Sequence, residues 1–195
     1  MKYPKIENLY LRNPETHELT DTYKSYETEI LEDTEWTIKE KIDGTNIRVI
    51  WDGYKVEFKG RTDNAVIQKE LLEKLESIFI EELFEQQFGD TPVILFGEGY
   101  GGKVQKGTNY SDTEEFILFD VYIHIWLEMH DVGDIARQFN IQVVPWFYGD
   151  ISDAIVEAKH GVSQVNEDAK YEGVVAVHEL LKRNGSRNIV KIKVK

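Results

Sequence analysis

Cysteine is absent from this 195-residue chain, and its absence removes several kinds of chemistry at once. Disulfide bonds, zinc–thiolate sites and cysteine nucleophiles are all excluded. Long apolar runs are missing too: no segment approaches the length of a membrane span, and residues 1–4 do not open an apolar signal core. The sequence therefore predicts a cytoplasmic protein with no membrane contact.

Positive charge is also scarce. The chain has 23 lysines and arginines against 36 acids, a net charge of −13, which argues against broad affinity for nucleic acid because such affinity rests on neutralising phosphates. The charge is uneven, however: residues 182–195 hold six basic side chains and no acid, whereas residues 62–90 hold eight acids and two lysines. One basic surface on an acidic body is enough for a phosphate-bearing ligand, and a solvated basic tail is the alternative.

The apolar pattern predicts one α+β domain in which mostly antiparallel sheets pack with helices, without internal repeat or linker. Residues 1–35 are polar and poorly periodic, and the acidic stretch that ends this segment is expected to be loop. The predicted strands are 36–41, 47–51, 54–59, 93–96, 116–126, 141–144, 173–177 and 189–194. The predicted helices are 65–88, 132–139 and one that Asp150 caps and that runs through residue 160. Asp52-Gly53 and Asn184-Gly185 mark tight turns.

A lysine stands at the end of the first predicted strand, in the stretch Glu40-Lys41-Ile42-Asp43-Gly44-Thr45-Asn46. A lysine held in place becomes a nucleophile when its amine loses its proton. The glycine would let the backbone approach a ligand closely. The alternative is a hairpin edge with a surface lysine, since Lys-x-Asp-Gly alone turns up by chance in roughly 4% of chains of this length.

Other polar residues stand at the ends of predicted strands and make a set with this lysine. Lys191 and Lys193 are two residues apart on the last predicted strand, so they face one side together. The set is Lys41, Asp43, Gly44, Asn46, Arg61, Glu98, Asp120, Glu172, Lys191 and Lys193. By alternation, Asp120 faces away from Phe119, and as a buried acid it needs a partner such as Arg61 or a lysine. The five histidines show no ligand spacing.

In order and neighbourhood these segments resemble the covalent nucleotidyltransferase superfamily of RNA ligases, DNA ligases and mRNA-capping guanylyltransferases. The segments are Lys41-Ile42-Asp43-Gly44, Phe96-Gly97-Glu98, Leu118-Phe119-Asp120-Val121, Glu172-Gly173-Val174-Val175 and Lys191-Ile192-Lys193. Asn46 and Gly60-Arg61-Thr62 are similar to those of ATP-dependent RNA ligases of the phage and RNA-editing type. The resemblance implies a nucleotidyltransferase (ATP-grasp-like ligase) fold and a single adenylyltransferase domain over 1–195.

The resemblance also implies a mechanism. Lys41 would attack the α-phosphorus of ATP and hold AMP, with Lys191 and Lys193 stabilising the developing charge. AMP would then pass to the 5′-phosphate of a nucleic acid, expected to be RNA, and a 3′-OH would displace it. Glu172 would act through Mg²⁺ or Mn²⁺. The remaining nucleotide-binding residues would be Glu98 on the ribose, Phe119 on the adenine, Arg61 on a phosphate, and Glu40, Ile42 and Asn46.

The chain departs from the superfamily pattern after Lys193, where an oligonucleotide-binding (OB) barrel or another domain often follows. We expect no such domain here, so that the chain is a minimal ligase, a catalytic fragment or a half that needs a partner protein. Two alternatives stay open. One is DNA ligation or guanylyl transfer on the same fold, and the other is a non-catalytic protein that binds nucleotides or RNA ends.

Overall fold

The computed structural model describes residues 1–104 and 109–193. Val194, the last residue of the strand predicted over 189–194, lies outside the described residues. Lys195 of the basic run lies outside them too. The described strands are β1 (Glu7–Asn8), β2 (Tyr10–Arg12), β3 (Leu19–Tyr23), β4 (Trp36–Glu40), β5 (Thr45–Trp51), β6 (Val56–Gly60), β7 (Val93–Tyr100), β8 (Glu115–Ile123), β9 (Ile125–Trp126), β10 (Gln142–Val143), β11 (Trp146–Gly149), β12 (Gly173–Leu181) and β13 (Arg187–Lys193). The helices are α1 (Tyr26–Ile30), α2 (Lys69–Ile78), α3 (Glu81–Phe88), α4 (Met129–Gln138) and α5 (Ile151–His160).

The chain divides into two compact units. Unit 1 comprises residues 1–3, 42–144 and 165–170, and unit 2 comprises residues 4–41, 145–164 and 171–195. The predicted α+β class with mostly antiparallel sheets is confirmed, because each unit pairs a largely antiparallel sheet with helices.

Unit 2 is built on a five-stranded sheet with the order β1-β13-β12-β4-β11. The pairs β11–β4, β4–β12 and β12–β13 are antiparallel, and β1 adds to β13 in parallel. Helix α5 covers one face, where Trp36, Ile38, Val174 and Ala176 form a buried core with its alanines. Apolar residues two apart on each strand fill this face, as a half-buried sheet requires. The other face carries lysines as well as buried apolar residues such as Val175 and Val177.

Unit 1 contains a six-stranded sheet with the order β10-β8-β7-β5-β6, and β9 adds to β8. Helices α2 and α3 pack on one face, where the ring of Phe84 stacks on that of Trp51 at 5.7 Å. Ile47, Val49 and Trp51 alternate along β5 toward these helices and are buried. Residues 46 and 48 therefore belong to the opposite face of this sheet.

The single helix predicted over residues 65–88 is wrong. The chain forms two helices, α2 and α3, in this segment. Between them, Phe79 and Ile80 have non-helical backbone conformations. The break lets Phe79 enter an aromatic cluster, with ring centroids 5.2 Å from Phe116 and 5.5 Å from Phe139. Tertiary packing of a large ring outweighs the helical propensity of the segment.

Other expectations are confirmed, corrected or extended. Helix α5 begins after Asp150, whose side chain accepts from the Asp153 N–H in a capping box. The single strand predicted over 116–126 is wrong, because the chain reverses at His124 (φ +59°) and β9 pairs antiparallel with β8. The other predicted strands are present with shifted ends, and β7 runs on through Gly97, Glu98 and Gly99. Sequence analysis missed β1, β2, β3, α1 and β11. No helix in residues 1–104 or 109–193 has the length and apolarity that a bilayer crossing requires.

Candidate functional site

Lys41 directly follows β4, at a place where three strands of unit 2 end side by side. Its backbone N–H donates to the carbonyl of Gly173 over 2.9 Å. Gly173 is paired in turn with Lys193 in the β12–β13 ladder. The sheet register therefore fixes the backbone of these three residues in one row.

The carboxylate of Glu172 joins the two lysines of this row. Lys41 Nζ donates to Glu172 Oε2 over 2.7 Å, and Lys193 Nζ forms an ion pair with the other oxygen, Oε1. The Glu172 side chain is only 15% exposed, so this pairing is screened less than a surface ion pair. The structure thus brings together three of the residues to which the sequence assigned chemistry.

Gly173 makes this close approach possible. It has a φ of +126°, and a Cβ atom there would lie 2.1 Å from the carbonyl oxygen of Ile192 and 2.9 Å from Cα of Lys193. Glycine adopts this backbone conformation readily and adds no Cβ atom. Any other residue would push away the end of β13 and Lys193 with it.

A second row lies on the same face of the sheet. Val175 of β12 pairs with Lys39 on one side and with Lys191 on the other, and cross-strand partners share a face. Lys191 and Lys193 also share this face, as their spacing predicts. Sequence analysis missed Lys39, which is 4% exposed. Its spacing of two residues from Lys41 was the available signal.

Glu40 faces the other side of the sheet. It pairs with Val174 of the core under α5, and its Oε2 accepts from the N–H of Gln164 over 3.0 Å. Its Oε1 is buried and has no hydrogen-bond partner among the described residues. Burial raises the pKa of Glu40, although hydrogen bonds from Ser163 and Gln164 oppose the shift. The carboxylate of Glu40 thus points away from the Lys41 amine.

Asn46 and Glu98 face each other across β5 and β7 in unit 1. The register pairs them directly, so their side chains lie on one face. The Oδ1 atom of Asn46 is buried and makes no hydrogen bond within residues 1–104 and 109–193. A buried acceptor without a donor is costly, and a hydroxyl group of a ligand would satisfy it. This pair therefore fits the ribose-binding role predicted for Glu98, which stays a prediction.

Gly44 serves protein packing. A Cβ atom there would lie 2.2 Å from the carbonyl oxygen of Gly99 and 2.9 Å from Cγ of Glu98. The structure shows a close backbone approach toward β7, and the expected approach toward a ligand stays a prediction. The approach toward β7 sets the start of β5 against Glu98.

Phe119 is the extra residue of a β-bulge in β8. Phe96 pairs with Asp120, whereas the next residue, Gly97, pairs with Leu118. Strict alternation does not hold through a bulge, and the expectation that Phe119 and Asp120 face opposite ways is wrong: Tyr3 contacts both side chains. The Tyr3 hydroxyl donates to the buried Asp120 and is thus one partner of the kind that a buried acid needs.

Arg61 and Ile42 complete the predicted set. Arg61 is exposed directly after β6, whereas Ile42 is buried in unit 1, so only the backbone of Ile42 is left to contact a ligand. The buried Arg48, which sequence analysis passed over, donates to the carbonyl of Gly60 over 2.9 Å and to Asp63 Oδ1 over 2.8 Å. It thereby holds the segment on both sides of Arg61.

The donor set indicates which metal would fit. Within residues 1–104 and 109–193, no three histidine, aspartate or glutamate residues are grouped so as to hold a metal ion by themselves. Mg²⁺ keeps most of its waters and is commonly bound through one or two carboxylates together with substrate phosphates. The carboxylate of Glu172 fits such an ion, and it does not fit a metal that needs several protein ligands.

Solved structures of RNA ligases have a fold similar to that of this chain. An RNA ligase from Naegleria gruberi with pyrophosphate matches with a TM-score of 0.66 at 19% identity, over 86% of this chain and 52% of that chain. A lysine-to-alanine variant of that ligase with ATP and Mn matches with a TM-score of 0.67 at 19% identity, over 86% and 52%. A lysine-to-methionine variant with AMP and Mn gives a TM-score of 0.67 at 18% identity, over 86% and 52%. The chain has the α+β fold of these ligases and spans about half their length.

The sequence supports the same conclusion. A family model described as RNA ligase matches residues 34–193, and the chain therefore belongs to the RNA ligase family. Comparison with curated proteins finds no significant sequence match. Every residue predicted for the site lies within the matched range.

Proposed function

We propose that this chain is an ATP-dependent RNA ligase or the adenylyltransferase module of one. The observation that carries the proposal is the carboxylate of Glu172, which holds Lys41 and Lys193 together at adjoining strand ends. Membership of the RNA ligase family supports it. The Naegleria gruberi structures with ATP, AMP and Mn support the choice of nucleotide and ion.

In the first step, the amine of Lys41 forms a bond to the α-phosphorus of ATP. The bond from that phosphorus to the bridging oxygen breaks, and pyrophosphate leaves with the electron pair. The attacking nitrogen gives up a proton and keeps AMP as a phosphoramidate. Lys191 and Lys193 offset the negative charge that builds up on the phosphoryl oxygens, because preorganised cations act most strongly where charge develops.

The other predicted residues bind the nucleotide. In unit 1, Glu98 and Asn46 would accept from ribose hydroxyls, Phe119 would stack on the adenine and Arg61 would contact a phosphate. The backbone at Glu40 and Ile42 would border the base. Glu172 would bind Mg²⁺ or Mn²⁺, an ion that neutralises phosphate charge when bound.

Two further steps would join nucleic acid ends. A 5′-phosphate oxygen attacks the phosphorus of the lysine-bound AMP and displaces Lys41. A 3′-OH then attacks the 5′-phosphorus and displaces AMP. We propose that the nucleic acid is RNA. A partner protein would be one source of a further RNA-binding domain. The reaction would take place in the cytoplasm, where ATP is available.

Intact mass after incubation with ATP and Mg²⁺ tests the proposal. We expect the gain of one AMP per chain, mapped to Lys41 and lost in Lys41→Ala. Lys74→Ala is the matched control, because Lys74 is also a half-exposed lysine paired to a carboxylate, that of Glu115 at 3.0 Å. It should label like the wild type.

Other outcomes would choose among the alternatives. A GMP adduct in place of AMP would indicate guanylyl transfer, and preference for nicked DNA over nicked RNA would indicate a DNA ligase. Nucleotide binding seen as a thermal shift, without any covalent adduct from ATP or GTP, would overturn the enzymatic proposal in favour of a nucleotide-binding protein.

A further inference from the structure

Tyr3 lies among aromatic side chains of unit 1, far in sequence from the residues assigned to the site. Its ring is edge-on to the rings of Phe96, Phe119 and Trp126, with centroids 5.2, 5.0 and 5.6 Å away. Its hydroxyl donates to Asp120 Oδ2 over 2.5 Å. One side chain thus contacts two consecutive residues of β8 at its bulge.

These contacts are of kinds that fix orientation. Asp120 is fully buried, and a hydrogen bond from a hydroxyl to a buried carboxyl group is directional and is strengthened by the low local dielectric constant. Edge-to-face ring pairs also prefer a defined angle, and the Tyr3 and Phe119 rings meet at 80°. A bulge re-aims the side chain of its extra residue, which here is Phe119.

We propose that Tyr3 is a positioning residue for nucleotide binding, which holds the Phe119 ring in the orientation that stacks on adenine. The proposal rests on the proposed function, from which it takes the stacking role of Phe119. Tyr3 itself contacts neither nucleotide nor metal in this scheme. It acts through Phe119 with its ring and through Asp120 with its hydroxyl.

A purely structural role for Tyr3 gives a different result. A residue that only fills the core would change the yield and thermal stability of the protein, while the folded fraction would bind ATP as before. A residue that aims the adenine platform changes recognition of the base in fully folded protein. Recognition of the phosphates stays the same, and inorganic tripolyphosphate, which carries no base, reports on it.

The experiment compares Tyr3→Phe and Tyr3→Leu with the wild type and with Tyr100→Phe. Tyr100 is the matched control, because it is a buried tyrosine of the same unit whose hydroxyl bonds to Gln142 over 3.3 Å. Initial rates of AMP adduct formation would be measured against ATP concentration. Inhibition by tripolyphosphate and thermal unfolding would be measured on the same samples.

Loss of the hydrogen bond to the buried Asp120 predicts that Tyr3→Phe raises the KM for ATP about tenfold. Tyr3→Leu, which also loses the ring contacts, should raise it further. We expect kcat at saturating ATP and inhibition by tripolyphosphate to change less than about twofold, since neither depends on where a base stacks. Tyr100→Phe should keep the wild-type KM.

Two results would overturn the proposal: an unchanged KM in folded Tyr3 variants, or equal losses of affinity for ATP and tripolyphosphate. If the wild type forms no adduct, the proposed reaction fails, and the Kd for ATP from thermal shifts replaces KM. A Kd that Tyr3→Phe leaves unchanged then overturns the positioning role by itself, and a Kd that rises supports it. A wild type that does not bind ATP overturns both.

Discussion

At the scale of single residues, Glu172 joins two lysines of the proposed reaction, Lys41 and Lys193. Lys41 donates a hydrogen bond to it over 2.7 Å, so the carboxylate holds the amine of Lys41 in place. A divalent ion that binds Glu172 would draw the carboxylate away from Lys41.

This view predicts the behaviour of Glu172→Gln, which keeps the shape of the side chain and removes its charge. We expect the rate of AMP adduct formation to fall roughly 100-fold, as when one electrostatic group acting on a transition state is lost. The free energy of unfolding should change by about 1 kcal/mol or less, because both lysines are partly exposed to solvent. Single-turnover labelling and urea unfolding measure the two quantities.

Glu115→Gln provides the matched control, since Glu115 is a partly exposed glutamate paired with Lys74. Its labelling rate should stay at the wild-type level. A Glu172→Gln protein that labels as fast as the wild type at every Mn²⁺ concentration would contradict the assignment.

At the scale of elements, β12 is tied at its far end by a neutral histidine. The Leu180 N–H donates to His178 Nδ1 over 3.0 Å, so Nε2 carries the proton and donates to Thr34 Oγ1 at 2.9 Å. Burial lowers the pKa of His178 below its usual 6.5. The imidazole thereby connects β12 to the turn that precedes β4.

The lowered pKa of His178 determines whether stability rises or falls with pH. The folded state binds fewer protons than the unfolded state between the lowered pKa and 6.5, so stability is lost as pH falls through that window. We expect the free energy of unfolding to be lower at pH 5 than at pH 7.5. That difference should shrink in His178→Gln.

The histidine variant also has an expected cost. His178→Gln should lose about 1–3 kcal/mol at pH 7.5, because partners of its ring nitrogens are left unpaired. His160→Gln, at the exposed end of α5, should keep both the wild-type stability and its pH dependence. Equal slopes in the wild type and His178→Gln would rule out His178 as the source.

The sequence predicts an element well when the cause of that element lies within its own segment. Helix α5 could be placed to the residue, because Asp150 caps it and its apolar stripe is local. The break at Phe79 could not, since its cause is contact with Phe116 and Phe139, residues distant in sequence. Strand β1 was missed because its partner is β13, at the other end of the chain. The apolar pattern of a segment does not indicate a partner strand that is distant in sequence.

The candidate site divides in the same way. Lys41, Glu172 and Lys193 were predicted, since their order and their strand ends are visible in the sequence. Tyr3 could not be predicted, because the bulge at Phe119 breaks the alternation on which the expected orientations depended. A one-residue shift of register lies beyond what a pattern of apolar residues encodes.

At the scale of the whole molecule, the described basic residues of the C-terminal run lie in two different parts of the structure. Lys191 and Lys193 belong to the candidate site, whereas Lys182, Arg183 and Arg187 lie at the β12–β13 hairpin. The whole chain, with this run included, carries a net charge of −13. Within this run, three described cations outside the candidate site are left to bind a phosphate backbone.

This distribution predicts a shallow salt dependence of RNA binding. About three phosphate contacts give a slope near −2 for single strands, so affinity should fall roughly 20-fold between 50 and 200 mM salt. Fluorescence anisotropy with a 5′-phosphorylated RNA measures it. Replacing the hairpin cations together, by K182Q, R183Q and R187Q, should flatten the slope. A thousandfold loss in the wild type would contradict the prediction.

The short strand β1 has a consequence for the molecule in solution. Glu7 and Asn8 pair with Val190 and Lys191, so part of the last strand of the sheet has a neighbour on its outer side. A chain without these residues would present a row of amide and carbonyl groups, which is a template for association with other chains. Removing the N-terminal segment would therefore favour aggregation of otherwise folded protein.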